Sequence, residues 1–81
     1  MKEAQNVVVT GGNFGIGYET VRGLYKDGYN VIFGSRNQQR NEDAVKKISQ
    51  EAGGSVKCFS LDLSKRQSIE NFVKEVLVQI C

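Results

Sequence analysis

Histidine and proline are both absent from the 81 residues, and cysteine occurs only twice. Without histidine, a Ser-His-Asp or Cys-His site is excluded, and so are most zinc sites. Cys58 and Cys81 have neither metal-ligand spacing nor the dense pattern of a disulfide framework. They imply reduced thiols, so a cytoplasmic chain is expected. No proline-rich or low-complexity stretch marks an internal linker. Charge of one sign is lacking too: eleven basic residues face nine acidic ones, scattered along the chain, for a net +2. That balance argues against nucleic acid or an anionic membrane as a partner. Apolar runs are only a few residues long, so no segment is expected to span a bilayer, and no basic-then-apolar leader precedes the first strand.

What is present has two periods. Asn6 to Thr10 is a short β-branched run, the pattern of a strand buried on both faces. From Ile16 to Asp27 the pattern turns helical, with Ile16, Thr20, Gly23, Leu24 and Asp27 on neighbouring turns and Gly28 as a left-handed stop. "NVIFGS", Asn30 to Ser35, reads as a second strand. The helix after it has the stripe Ala44, Val45, Ile48 and Ala52, with Gly53 as its stop. Ser55 to Leu61 reads as a third strand. Ser64 with Gln67 has capping-box spacing, and the helix that follows carries Ile69, Phe72, Val73, Val76, Leu77 and Ile80.

A strand-helix pair repeated three times implies a parallel sheet covered by helices. Right-handed crossovers give the order 3-2-1, with two helices on one face and the third on the other. The expected architecture is α/β, half of a Rossmann doubly wound fold. Residues 1–81 are expected to form a single partial dinucleotide-binding domain, stopping before a fourth strand. A chain this size buries roughly 60% of its unfolded surface, so its stability is expected to be marginal.

"VVVTGGNFGIG" then has a chemical meaning. A turn from a parallel strand into a helix aims backbone N–H groups and the positive end of the helix dipole at one point, where a pyrophosphate fits. Gly11 would make the tight turn, Gly15 would let phosphates approach the backbone, and Gly17 would let the helix lie close to the sheet. The spacing Gly-x-x-x-Gly-x-Gly is weak evidence alone, because glycine-rich turns also arise for purely conformational reasons. Its place between a strand and a helix, opening a βαβ unit, supplies the confirming context.

The end of the second strand faces the adenosine ribose in such a fold, and an acidic residue there holds the 2′-hydroxyl of NAD. This sequence has Ser35-Arg36-Asn37 instead, with no carboxylate before Glu42. A guanidinium grips a phosphate with parallel hydrogen bonds, so NADP is expected over NAD. The competing reading of Arg36 is a solvated loop arginine. For Asp62 two readings stand side by side: an acceptor for the adenine amino group, or a residue that structures its own loop. Cys58 reads as a small buried hydrophobe. Lys46, Lys47, Lys65, Arg66 and Lys74 read as solvated helix faces.

"TGGNFGIG", "GSRN" and "LDLS", each after a strand and in this order, resemble the short-chain dehydrogenases/reductases, in the manner of the NADPH-dependent carbonyl reductase and retinol dehydrogenase branches. The resemblance covers nearly the whole chain. It implies pyrophosphate contact by Gly11, Asn13, Phe14, Gly15 and Ile16, and 2′-phosphate contact by Ser35, Arg36 and Asn37. It also implies an adenine contact by Asp62 with the backbone of Leu63. Phe14 departs from the small polar or basic residue often found at its position, which shifts the phosphate grip onto Arg36.

The family's Tyr-x-x-x-Lys pair is missing: Arg22, Tyr29 and Phe33 follow Tyr18, Tyr25 and Tyr29 at that spacing. Its catalytic serine and Asn-Asn-Ala-Gly turn are missing as well. One expectation is therefore the NADP-binding fragment of an oxidoreductase that moves hydride between NADPH and a carbonyl or alcohol, inert alone. The alternative is a non-catalytic nucleotide-binding or self-associating module. In both, the open edge of the first strand and the apolar last helix predict self-association.

Overall fold

A computed structural model describes residues 5–11 and 15–80, the Ile80 side chain excepted. Strands β1 (Asn6–Thr10), β2 (Asn30–Ser35) and β3 (Ser55–Ser60) alternate with helices α1 (Gly15–Lys26), α2 (Gln38–Ser49) and α3 (Arg66–Ile80). Both strand pairs are parallel, with β2 in the middle, as the alternating periods predict. Val8 pairs with Ile32 and Phe33 with Cys58, so β2 carries the register of the whole sheet.

The two-residue period of β2 divides the core. Val31 and Phe33 point to one face, where they meet Val21 and Tyr25 of α1 and Ala44 and Ile48 of α2. Ile32 points to the other face and packs with Leu61, Phe72 and Val76, the last two from α3. The placement of two helices on one face and one on the other is that of half a doubly wound fold. Among the described residues, no helix is long and apolar enough to cross a membrane.

Several local expectations need correction. β1 is not buried on both faces: it is an edge strand, and Val8 is 46% exposed on the α3 side. The doubly covered strand is β2. In α1 the buried stripe is Val21 and Tyr25, whereas Ile16 at the helix start is 88% exposed. Packing against Phe33 and Ile48 selects that face, and it does so because a tyrosine ring and a valine bury more area than Thr20 or Gly23. α2 ends at Ser49 with Gln50 as its cap, so Ala52 lies beyond the helix. Gly53 is no left-handed stop, because only Gly11, Gly15 and Gly28 have positive φ among the described residues. Glycine is needed at 53 for a different reason: a Cβ there would strike the Tyr25 ring and carbonyl. β3 stops at Ser60, one residue before the expected Leu61.

The loop containing Gly53 is also tied to α1 by polar contacts. Glu51 accepts from Arg22 Nε and Nη2, each at 3.0 Å, and Lys26 lies 3.4 Å away. Hydrogen bonds from Arg22 hold the Glu51 carboxyl below the usual carboxylate range. Tyr25 Oη donates to the Glu51 carbonyl at 2.8 Å.

α3 is long and apolar as expected, yet only part of its stripe is covered. Phe72 and Val76 are buried, whereas Val73 and Leu77 are 48% and 50% exposed. Cys58 is half-buried, and burial pushes its thiol pKa up.

Gly34 joins the two layers at the end of β2. A Cβ there would lie 2.9 Å from Leu61 Cβ and run into the Phe72 ring. Replacement by alanine forces α3 away from the sheet. Gly34→Ala is expected to cost about 1–3 kcal/mol, as overpacking does in dense cores. Denaturant unfolding, compared at equal slope with the wild type, measures it.

Candidate functional site

All three strands run the same way, so their carboxyl ends meet at one edge of the sheet. Two bonds continue the ladder beyond the strands. The Gly11 N–H donates to the Gly34 carbonyl at 2.6 Å, and the Leu61 N–H donates to the Ser35 carbonyl at 2.9 Å. The three following loops are thereby held side by side. Among the described residues Thr10, Gly11, Gly34, Ser35, Arg36, Leu61, Asp62, Leu63 and Ser64 line a cavity of about 370 Å³.

The structure gathers five of the expected site residues into that cavity: Gly11, Ser35, Arg36, Asp62 and Leu63. Gly11 has φ 73°, which favours glycine, and its N–H is already engaged by Gly34. What Gly11 offers a ligand is therefore a bare surface rather than a donor. Gly15, Ile16 and Gly17 form the first turn of α1, where the N–H groups lack intrahelical acceptors. Asn13 and Phe14 lie outside the described residues. Asn37 is not on the cavity wall; it caps α2, its Oδ1 accepting from the Arg40 N–H at 3.1 Å.

Arg36 is exposed on the cavity rim and, among the described residues, makes no hydrogen bond or ion pair. Asp62 is half-buried opposite. Its Oδ1 accepts from Ser64 Oγ at 2.6 Å and from the Ser64 N–H at 3.0 Å. These bonds hold the Asp62 carboxyl below its usual range, with smaller help from the charges of Arg36 and Lys65. The Asp62 N–H donates to Ser68 Oγ at 2.8 Å. The expected Ser64–Gln67 capping box is therefore not formed. α3 starts at Arg66, Ser64 is turned back to Asp62, and Gln67 donates to Asn71. The loop-structuring role of Asp62 is real, and it occupies Oδ1 only.

Sequence reasoning missed Thr10, Gly34, Leu61 and Ser64 on the wall, and Asn41 behind it. A glycine inside a strand is a signal of close approach, which Gly34 carried. Asn41 gave no signal: its complete burial depends on where β3 lies. At the opposite end of the sheet, Asn6, Asn30, Ser55, Lys57 and Gln79 surround a smaller polar cleft of about 130 Å³. Among the described residues, no three metal-ligating side chains are gathered together.

The geometry has close counterparts. The family model for short chain dehydrogenases matches residues 5–80. The WW domain-containing oxidoreductase of Drosophila melanogaster is 40% identical over 75 residues, which cover 89% of this chain and 18% of that protein. An alcohol dehydrogenase from the archaeon Thermococcus sibiricus, solved with 5-hydroxy-NADP, superposes with a TM-score of 0.89 at 38% identity. That match covers 96% of this chain and 33% of the other. An actinorhodin polyketide ketoreductase variant, solved with NADPH, has a TM-score of 0.87 at 28% identity, covering 94% of this chain and 29% of its own. The chain thus spans a third or less of each of these proteins.

The Asp62–Ser64 turn makes a titration prediction. A depressed carboxyl pKa contributes stability that is present above the unfolded value, about 4, and is lost as pH falls through the folded value. Ser64→Ala removes the hydroxyl donor, so the Asp62 pKa is expected to rise towards the ordinary value. Carboxyl-carbon NMR titration of Asp62 in both proteins reads this directly.

Proposed function

The chain belongs to the short chain dehydrogenase family, and on that basis we propose that it is the NADP-binding part of an oxidoreductase. The observation that carries this reading is Arg36, uncommitted on the rim of a cavity built at the carboxyl ends of three parallel strands. A dinucleotide fits what is present. The first turn of α1, Gly15 to Gly17, offers N–H donors and the positive end of a dipole to a pyrophosphate. Asn13 and Phe14 join them in this proposal, with Gly11 keeping the approach clear. Arg36 takes the 2′-phosphate through charge-assisted hydrogen bonds, and Ser35 and Asn37 flank it. Asp62 Oδ2 accepts from the adenine amino group while Oδ1 holds the loop, and the Leu63 backbone completes that subsite.

When bound, the nicotinamide supplies hydride to a carbonyl or receives it from an alcohol. These residues bind and orient the adenosine half of the cofactor. None of the 81 residues forms the Tyr-x-x-x-Lys pair, so proton transfer to the substrate is assigned to no side chain of this domain. A cytoplasmic setting suits the reduced thiols. The relatives named above with NADP-type ligands support the cofactor class.

A second reading is favoured by one observation: Val8, Val73 and Leu77 leave apolar surface uncovered on the α3 side. We propose that this face pairs with a second copy of the chain. β1 is an edge strand whose described residues include no lysine or proline to discourage pairing.

Two measurements test these readings. Wild type is expected to bind NADP more tightly than NAD, and Arg36→Ala to lose about tenfold or more in NADP affinity, the worth of a charged hydrogen bond. Equal wild-type affinities would defeat the assignment. Sedimentation equilibrium across a wide concentration range should show association that Val8→Lys weakens. A wild type that stays monomeric and folded throughout would defeat the pairing.

A further inference from the structure

Every polar atom of Asp62 but one is engaged by the segment that leads into α3. Its N–H donates to Ser68 Oγ at 2.8 Å, and its carbonyl accepts from the Lys65 N–H at 3.0 Å. Its Oδ1 accepts from the Ser64 N–H at 3.0 Å and from Ser64 Oγ at 2.6 Å. An ionised carboxylate only accepts, so Ser64 is the donor in both of those bonds. Main chain and carboxylate are thus fixed separately, the first by Ser68 and Lys65, the second by Ser64. Oδ2 is the atom left over, and among the described residues nothing donates to it. Leu63 follows on the same cavity wall, and its N–H has no acceptor among the described residues.

Two adjacent residues on the wall therefore hold an acceptor and a donor in reserve. The edge of adenine presents the complement: a 6-amino group that donates and an N1 that accepts. Hypoxanthine carries an oxygen in place of the amino group and a proton on N1. Its order is reversed, so it meets a mismatch at both points. A mismatch costs more than a missing contact, because it leaves polar groups desolvated and unpaired.

We propose that Ser64 is a positioning residue that turns Asp62 Oδ2 to the cavity beside the Leu63 N–H, so that the site rejects 6-oxopurine nucleotides. This inference rests on the nucleotide-binding reading above and deepens it. It gives the Asp62–Ser64 turn a purpose beyond shaping its own loop, since the bonds that hold Oδ1 also settle which oxygen meets the base.

The test is calorimetric titration of the full chain with NADP and with its deaminated analogue, nicotinamide hypoxanthine dinucleotide phosphate. The two share every phosphate and ribose, so the ratio of their affinities reads the base alone. Wild type is expected to bind NADP about tenfold or more tightly, the worth of a hydrogen bond to a charged group. Asp62→Asn is the sharpest arm. The Ser64 N–H can only donate, so it keeps the carboxamide oxygen on its own side and the amide nitrogen faces the cavity. Each base then finds one match and one mismatch, and the preference should disappear. Ser64→Ala loosens the carboxylate and should lower the ratio a fewfold, whereas Ser64→Thr, which keeps the hydroxyl, should preserve it.

A preference that survives in Asp62→Asn means that Ser64 does not orient the group, and it overturns the proposal. So does a Ser64→Ala variant that shifts the melting temperature and both affinities together without moving the ratio. Should Asp62→Asn fail to fold, the comparison of Ser64→Ala with Ser64→Thr still decides. Equal wild-type affinities overturn this inference and leave the cofactor reading standing. A wild type that binds neither nucleotide overturns the cofactor reading, and this inference with it.

Discussion

Both faces of β2 must be covered at once, and most of the architecture follows from that. Val31 and Phe33 require α1 and α2 on one side, and Ile32 requires α3 on the other. A chain can meet this demand with parallel strands only through crossovers that return each strand to the same starting edge. The three loops at the carboxyl ends are thereby brought together, although they are more than twenty residues apart in sequence. The cavity is a consequence of covering β2. Its chemistry is a separate matter, set by which side chains those loops carry.

Within the cavity the polar groups are divided between holding the loops and facing outward. Asp62 Oδ1 is engaged by Ser64, and Asn37 Oδ1 by the start of α2. The Gly11 N–H is spent on Gly34. Arg36 is different, since its exposed guanidinium has no hydrogen bond or ion pair within the described residues. The wall therefore carries one exposed cation, Arg36, and one carboxylate, Asp62, whose Oδ1 is held by its own loop. That carboxylate is close enough to feel Arg36 but does not bind it.

Much of this was legible in the sequence because it is written in local periods. Short runs of five or six strand-like residues, only the first of them mostly β-branched, and a 3.6-residue apolar repeat located all three strands and all three helices. The strand-end positions of Gly11, Arg36 and Asp62 could be read for the same reason. What escaped depends on distant partners. The buried face of α1 is decided by Phe33 and Ile48, not by the helix itself. The Arg22–Glu51 pair joins residues 29 apart, and Asn41 is buried by a carbonyl of β3. Ser64 had the spacing of a cap, but Asp62 two residues earlier competes for its hydroxyl and wins with a charged acceptor.

The central claim is that the carboxyl edge of this sheet binds a 2′-phosphorylated dinucleotide. It is tested most directly by following backbone amide resonances of the chain during titration with NADP. The account predicts saturable shifts concentrated at Thr10, Gly11, Gly34 to Arg36 and Leu61 to Ser64, with Asn30, Ser55 and Lys57 at the other edge unmoved. Shifts centred on those three residues, or none at millimolar NADP with a folded spectrum, would contradict it.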